Sequence, residues 1–284
     1  MPGRFFITGG GGQLATAFKN NFTKQNIQYV APSHKDLDIA DPKSLESKIL
    51  KFQPDVVLNC AAYNHVDLAE EEERDKVFSI NATAVKNIAD ICRNKNIFLV
   101  HYSSDAVFDG MGGDLYVEDD PTFPINEYGK SKLAGEKYLI SSGAKFLLFR
   151  VSWVYGEGER NFIAKLNMGI DQGKPLHMTC DRFSVPTLAR DIAEVTLKAI
   201  DAGLTGLYHL VNSGFASRYE FARAFIKAKG LERDVFPMLA SDYPEKAKRP
   251  FFSAMSNRKI SEALNISIPD WQDSLQEYVR RSRF

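Results

Sequence analysis

Cysteine is scarce: Cys60, Cys92 and Cys180 are odd in number, far apart and without Cys-x-x-Cys spacing. That excludes a disulfide framework and a zinc ribbon, and leaves small buried hydrophobes as the expectation. An excess of either charge is also missing, since lysine plus arginine and aspartate plus glutamate both number 36. No net field draws the chain to nucleic acid or to an anionic membrane. No apolar run is long enough to cross a bilayer, and Met1-Pro2-Gly3-Arg4 enters Phe5-Phe6-Ile7 without a leader-like stretch or cleavage motif, so a cytoplasmic protein is expected. The five histidines show no ligand spacing, and no metal is expected. Small molecules are left as the expected partners, and a homodimer is compatible with all of this.

What the chain does have, across 284 residues that are 44% hydrophobic, is alternation. Short apolar runs at Arg4 to Thr8, Gln28 to Ala31, Val56 to Cys60, Phe98 to Ser103 and Phe146 to Val151 read as strands. Between them lie helical patterns at Gln13 to Asn21, Pro42 to Phe52, Glu71 to Arg93 and Tyr128 to Ser141. The strands carry almost no charge, as burial on both faces of a parallel sheet requires. An α/β chain follows, with a Rossmann-type doubly wound parallel sheet over residues 1–151 and a smaller, interleaved C-terminal lobe over 152–284. Tyr208-His209-Leu210-Val211 reads as a strand returning to the sheet, within a segment near 186–211. Gly156 to Arg160 reads as a loop, and a last helix at Trp271 to Arg281 puts Leu275, Tyr278 and Val279 on one face.

Directly after the first strand comes Thr8-Gly9-Gly10-Gly11-Gly12-Gln13-Leu14-Ala15, opening a helix. Glycines here allow a tight turn and let the backbone approach a pyrophosphate, whose charge meets the positive end of the helix. The second strand ends in Ala31-Pro32-Ser33-His34-Lys35, with no acid to hold free ribose hydroxyls and two residues able to attract a 2′-phosphate. That favours NADPH, with NADH as the alternative. Asp38 reads either as a cofactor contact or as a cap for the helix near Pro42.

Tyr128 and Lys132 stand four apart on a helical stretch, which stacks a phenol beside an ammonium. A free tyrosine ionises near pH ~10, and a neighbouring cation is expected to favour phenolate and bring the proton within working range. The acids Glu70 to Glu73 are expected to face water at a helix start, and Arg280 to Arg283 to sit near a helix C-terminus.

These segments together resemble the extended short-chain dehydrogenase/reductases and, within them, the dTDP-4-dehydrorhamnose reductases. The resemblance runs nearly end to end: Asn59 to Tyr63, Val66 to Glu70, Val100 to Gly110, Tyr128 to Glu136, Arg150 to Tyr155, Asp181 to Thr187, and Arg249-Pro250. It implies Tyr128, Lys132 and Ser104 as catalytic residues, Ser104 standing where the family has threonine. It implies a cofactor bed of Gly9, Gly12, Gln13, Leu14, Ser33, Asp38, Ile39, Ala61, Ala62, Tyr63, Tyr102 and Lys132. Ser104, Asp105, Asn126 and Trp153 are implied around a nucleotide-sugar substrate. Ala106 departs from the family's frequent tyrosine, and Arg182 and Ser184 from its usual Gln and Gly. The first helix, with Ala15-Thr16-Ala17, lacks the acid through which some relatives bind magnesium. The rivals are an epimerase that recycles bound NAD and a non-catalytic NADP-binding partner like the regulatory subunit of methionine adenosyltransferase. A dehydratase is disfavoured because Ala106 takes the place of its acid.

Overall fold

The structure, a computed structural model, describes residues 3–158 and 161–282. Met1-Pro2, the Glu159-Arg160 part of the expected loop, and Arg283 of the terminal basic cluster lie outside those residues.

Six parallel strands form the main sheet: β1 (Arg4–Thr8), β2 (Gln28–Val30), β3 (Val56–Asn59), β4 (Phe98–Ser104), β5 (Phe146–Val151) and β6 (Gly206–His209). Their order across the sheet is β6-β5-β4-β3-β1-β2. From β1 the chain moves first to β2 on one side and then to β3 on the other, so the topological switch lies between β1 and β3. Doubly wound sheets bind ligands in the crevice beyond the strand ends at that point.

Period-two alternation separates the two buried faces. Phe5 and Ile7 face one way, packing with Phe18 and Phe22 of α1 (Gln13–Gln25). Phe6 faces the other way, toward Leu45 and Ile49 of α2 (Pro42–Phe52) and Val85 and Ile88 of α3 (Ala84–Lys95). Asp41 caps α2 by accepting from the backbone N–H of Lys43 and Ser44.

One element differs from the sequence reading. The helix expected from Glu71 begins at Arg74, and Ser79–Thr83 forms a π-turn before α3. Glu70 to Glu73 form a turn in which Glu71 and Glu72 are exposed, while Glu70 accepts from the backbone N–H of Glu127 at 2.6 Å, and Glu73 accepts from Lys76 at 2.6 Å and from the Tyr63 hydroxyl.

α4 (Glu127–Ile140) carries Tyr128 and Lys132. Two glycines inside it, each costing about 1 kcal/mol of helix propensity against alanine, have a packing reason. A Cβ on Gly129 would collide with the carbonyl oxygen of Ala106, and one on Gly135 with that of Asn81 in the π-turn. Small residues there let the helix approach the site backbone. Beneath it lies a buried ion pair, Arg150 Nη2 to Glu136 at 2.9 Å.

The remaining chain builds a second cluster from α5 (Phe162–Asp171), α7 (Arg218–Ala228) and α8 (Trp271–Arg281), around Tyr155, Leu166, Phe221, Phe225, Trp271 and Leu275. Between α5 and α7, α6 (Ala189–Asp201) packs Ile192 and Ala193 onto the main sheet, so the two regions interleave.

Candidate active site

The loop after β1 is built for close approach. Gly9 has φ +65°, and a Cβ there would come within 2.8 Å of Ala61 Cα at the end of β3. Gly10 lies so close to the Ala31 carbonyl after β2 that no side chain fits, and Lys19 Nζ donates to the Gly10 oxygen at 2.8 Å, pinning the turn. Gly11 faces open space. Gly12, the N-cap of α1, supplies no side-chain acceptor, and the first turn carries no acid. The leading N–H groups of α1 therefore have no side-chain cap, at the positive end of the helix dipole. The residues fit a pyrophosphate.

Across the crevice, α4 starts at the N-cap Asn126, whose Oδ1 accepts from Gly129 N at 2.7 Å while its Nδ2 donates to the Lys248 carbonyl at 2.7 Å. Two residues on, Tyr128 is half-buried and its hydroxyl donates to Asn64 Oδ1 at 3.3 Å. Burial pushes the phenol up to about 12; interaction with the Ser104 hydroxyl opposes this and the Asp105 charge adds to it. Lys132 is 2% exposed, and its ammonium donates to the Tyr102 carbonyl at 2.6 Å. Burial draws it down to about 8, with Glu136 pulling the other way. The expected tuning of the phenol by the lysine is thus not the arrangement found: burial governs both groups, and it keeps Tyr128 protonated at neutral pH.

Ser104 ends β4, donates to Asp105 Oδ1 at 3.0 Å and accepts from Ala106 N at 3.1 Å. The other oxygen of Asp105 accepts three hydroxyls: Ser152 at 2.9 Å, Ser184 at 2.6 Å and Ser253 at 2.7 Å. One buried carboxylate thereby ties β4 to the chain after β5, to the Phe183–Ser184 strand and to the C-terminal segment. Below the crevice, Thr8, Asn59 and His101, neighbours in register on β1, β3 and β4, form a buried hydrogen-bonded row. Burial and the Lys132 charge hold His101 well below its usual pKa, so it is neutral.

A family model described as RmlD substrate binding domain matches residues 3–284. The chain belongs to the RmlD family. Over 277 residues it is 35% identical to the spore coat polysaccharide biosynthesis protein SpsK of Bacillus subtilis, covering 98% of this chain and 97% of that protein. It is 36% identical over 248 residues to the dTDP-4-dehydrorhamnose reductase of Escherichia coli, covering 83% of this chain and 82% of that one. Among solved structures, the dTDP-4-dehydrorhamnose reductase of Bacillus anthracis in complex with NADP aligns with a TM-score of 0.94 at 29% identity, over 99% of this chain and 100% of that one. The UDP-glucose 4-epimerase of Thermus thermophilus, at 20% identity and a TM-score of 0.80, shares the fold.

Within this RmlD-family chain, the other residues singled out in the sequence are placed as follows. Ala61, in the loop after β3, lies beside Gly9, and Ala61 and Ala62 are both partly buried. Tyr63 is buried; its backbone N–H and C=O are both taken by the Asn81 side chain, at 2.9 and 3.0 Å. Tyr102 reaches the site only through its carbonyl, because its ring packs with Phe18 and Phe149 and its hydroxyl pairs with Thr196 at 3.0 Å. Leu14 packs against the core, and Gln13 keeps a buried side-chain oxygen without a partner among the described residues.

At the end of β2, Ser33 Oγ donates to Asp36 at 2.6 Å. A carboxylate therefore does fold back there, which the reading of Ala31 to Lys35 did not foresee, although Lys48 and Lys35 offset its charge. Asp38 is exposed and accepts from its own loop at Ala40 N, Ile39 is buried, and the cap of α2 is Asp41. Trp153 sits at φ +35°, a strained backbone for a bulky residue, beside the Asp105 cage.

Ser253 and Asn81 were not recognised in sequence as site-building residues. The usable signal for Asn81 was Gly135, a mid-helix glycine that marks close approach. Ser253 has no local signal, because its partner is 148 positions away. Among the described residues no cluster of three metal-ligating side chains occurs.

Proposed function

We propose that this chain is an NADPH-dependent reductase of a nucleoside-diphosphate-linked 6-deoxy-4-keto-hexose, with dTDP-4-dehydrorhamnose as substrate and dTDP-rhamnose as product. The observation that carries this reading is the protonated Tyr128 hydroxyl, which interacts with Ser104, on the helix that also carries the buried Lys132, in a chain whose glycine turn leaves the leading N–H groups of α1 without a side-chain cap. The names of the relatives and of the NADP-bound structure support the same substrate and cofactor.

Gly9, Gly12, Gln13 and Leu14 would hold the pyrophosphate, Ser33, Asp38 and Ile39 the adenosine end, and Ala61, Ala62, the Tyr102 backbone and Lys132 the nicotinamide end. NADPH, when bound, supplies a hydride to the C4 carbonyl carbon. As the carbonyl electrons move to oxygen, Tyr128 gives that oxygen its proton and is left as phenolate. Ser104 swings its hydroxyl from Asp105 to the same oxygen. Donors that meet a growing charge favour the transition state over the ground state. Asp105, Asn126 and Trp153 frame the sugar, and residues 152–284 supply most of that lobe. No described helix is long and apolar enough to cross a membrane, which accords with a reaction in the cytoplasm.

The test is oxidation of NADPH and NADH, followed by absorbance, against a panel of nucleotide-linked 4-keto sugars. Turnover with NADPH and dTDP-4-dehydrorhamnose is expected. An epimerase would instead purify with oxidised cofactor, and a partner protein would show no turnover at all.

A further inference from the structure

Arg218 breaks a local rule. It is the first residue of α7, after the Ser217 N-cap and its capping box with Glu220, where the helix dipole disfavours a cation. Its guanidinium carbon lies 4.7 Å from the Trp153 ring centroid and 4.6 Å from that of Phe162, held between two aromatic rings. Among the described residues no hydrogen-bond acceptor or carboxylate pairs with it, although a guanidinium carries five N–H donors. Both rings stabilise the cation but take none of those donors.

The surroundings explain why no protein group does so. Glu245 is engaged by Arg182 and by Arg249 Nη1, and Asp67 accepts the other arm of Arg249 at 2.7 Å. Arg182 and Arg249 thus take up Glu245 and Asp67, and among the described residues neither carboxylate forms an ion pair with Arg218. Arg182 also keeps a buried Nε without a partner among the described residues. Burial, and then the Arg249 charge, draw Arg218 down to about 10, opposed by Glu245, Asp105 and Tyr243. Removing the misfit requires an anion, and a local conflict left standing beside a site is a mark of function.

We propose that Arg218, fixed between Trp153 and Phe162 at the N-terminus of α7, binds the diphosphate of the nucleotide-linked substrate. The planar fork matches two phosphate oxygens, and the α7 dipole attracts the same charge. Because Asp105 is among the charges that act on Arg218, the diphosphate is anchored near the residue that orients Ser104. This assignment rests on the nucleotide-sugar reading of the substrate.

The experiment compares wild type with Arg218→Met and Arg218→Lys by calorimetric titration with dTDP alone, by titration with NADPH, and by thermal melting. Wild type is expected to bind dTDP, Arg218→Met to bind it about 10- to 100-fold more weakly, and Arg218→Lys to fall between, having charge but no planar fork. NADPH affinity should stay the same in all three. Arg218→Met should melt at or above the wild-type temperature, since an unpaired cation has been removed, whereas a structural arginine would lower it on removal. Equal dTDP affinity in wild type and Arg218→Met, no dTDP binding by wild type, or a parallel loss of NADPH affinity would each overturn the proposal. Failure of the reductase reading is read separately, as absence of keto-sugar turnover in wild type.

Discussion

Replacing Lys132 by methionine should make the cofactor-free protein more stable while destroying its activity. Burial takes this ammonium from its ordinary 10.5 to about 8, so below pH 8 the folded chain carries a charge it has had to desolvate. At about 1.4 kcal/mol per pH unit this amounts to ~3 kcal/mol as an upper figure. Against it stands the 2.6 Å hydrogen bond to the Tyr102 carbonyl, whose loss costs about 1–2 kcal/mol. The balance is a gain of about 1–2 kcal/mol near pH 7, or a rise of about 2–4 °C in Tm. The pH dependence has a definite sign. Between pH 8 and 10.5 the unfolded chain holds a proton that the folded chain has released, so wild-type stability rises with pH there. The variant has no such group, and its advantage should be complete below pH 8 and fade toward pH 10.5. Thermal melts of both proteins at pH 7, 8.5 and 10 decide it. A variant less stable than wild type at pH 7, or an advantage unchanged at pH 10, refutes the reasoning.

Two further substitutions separate the roles of neighbouring groups. Gly11→Ala has open space for its methyl, so the protein should fold normally yet bind NADPH at least ~10-fold more weakly, whereas Gly10→Ala should lose about 1–3 kcal/mol of stability against the Ala31 carbonyl. Fluorescence titration and chemical denaturation give the two readouts, and equal behaviour of the pair would contradict the assignment. Ser253→Ala removes a hydroxyl donated to Asp105 at 2.7 Å, and a hydrogen bond to a charged acceptor is worth about 1.5–3 kcal/mol. The denaturation midpoint should fall accordingly and turnover should drop several-fold through Ser104, so an unchanged midpoint and rate would remove the cage from the account.

The parts legible in the sequence are those encoded locally. Five short apolar runs with almost no charge, separated by helical periods, give the parallel sheet, and Gly9 to Gly12 placed between strand and helix gives the turn. The π-turn at Ser79–Thr83 escaped because its cause is tertiary: Asn81 turns its side chain to satisfy Tyr63 and also donates to Ser131 at 3.0 Å. The Asp105 cage escaped for the same reason, since its serines come from three separate segments. Four-residue spacing put Tyr128 and Lys132 on one helix, but how deep they lie, and hence which way each proton affinity moves, depends on the strands and loops packed around them. Arg218 gave no sequence signal at all, because a cation at a helix start becomes informative only once its partners are known to be missing.

The most direct test of the central claim is a single-turnover measurement of dTDP-4-dehydrorhamnose reduction by Tyr128→Phe loaded with NADPH, beside wild type. The account predicts a rate lower by a factor of about 100 or more, with NADPH affinity nearly unchanged. A rate equal to wild type would contradict it.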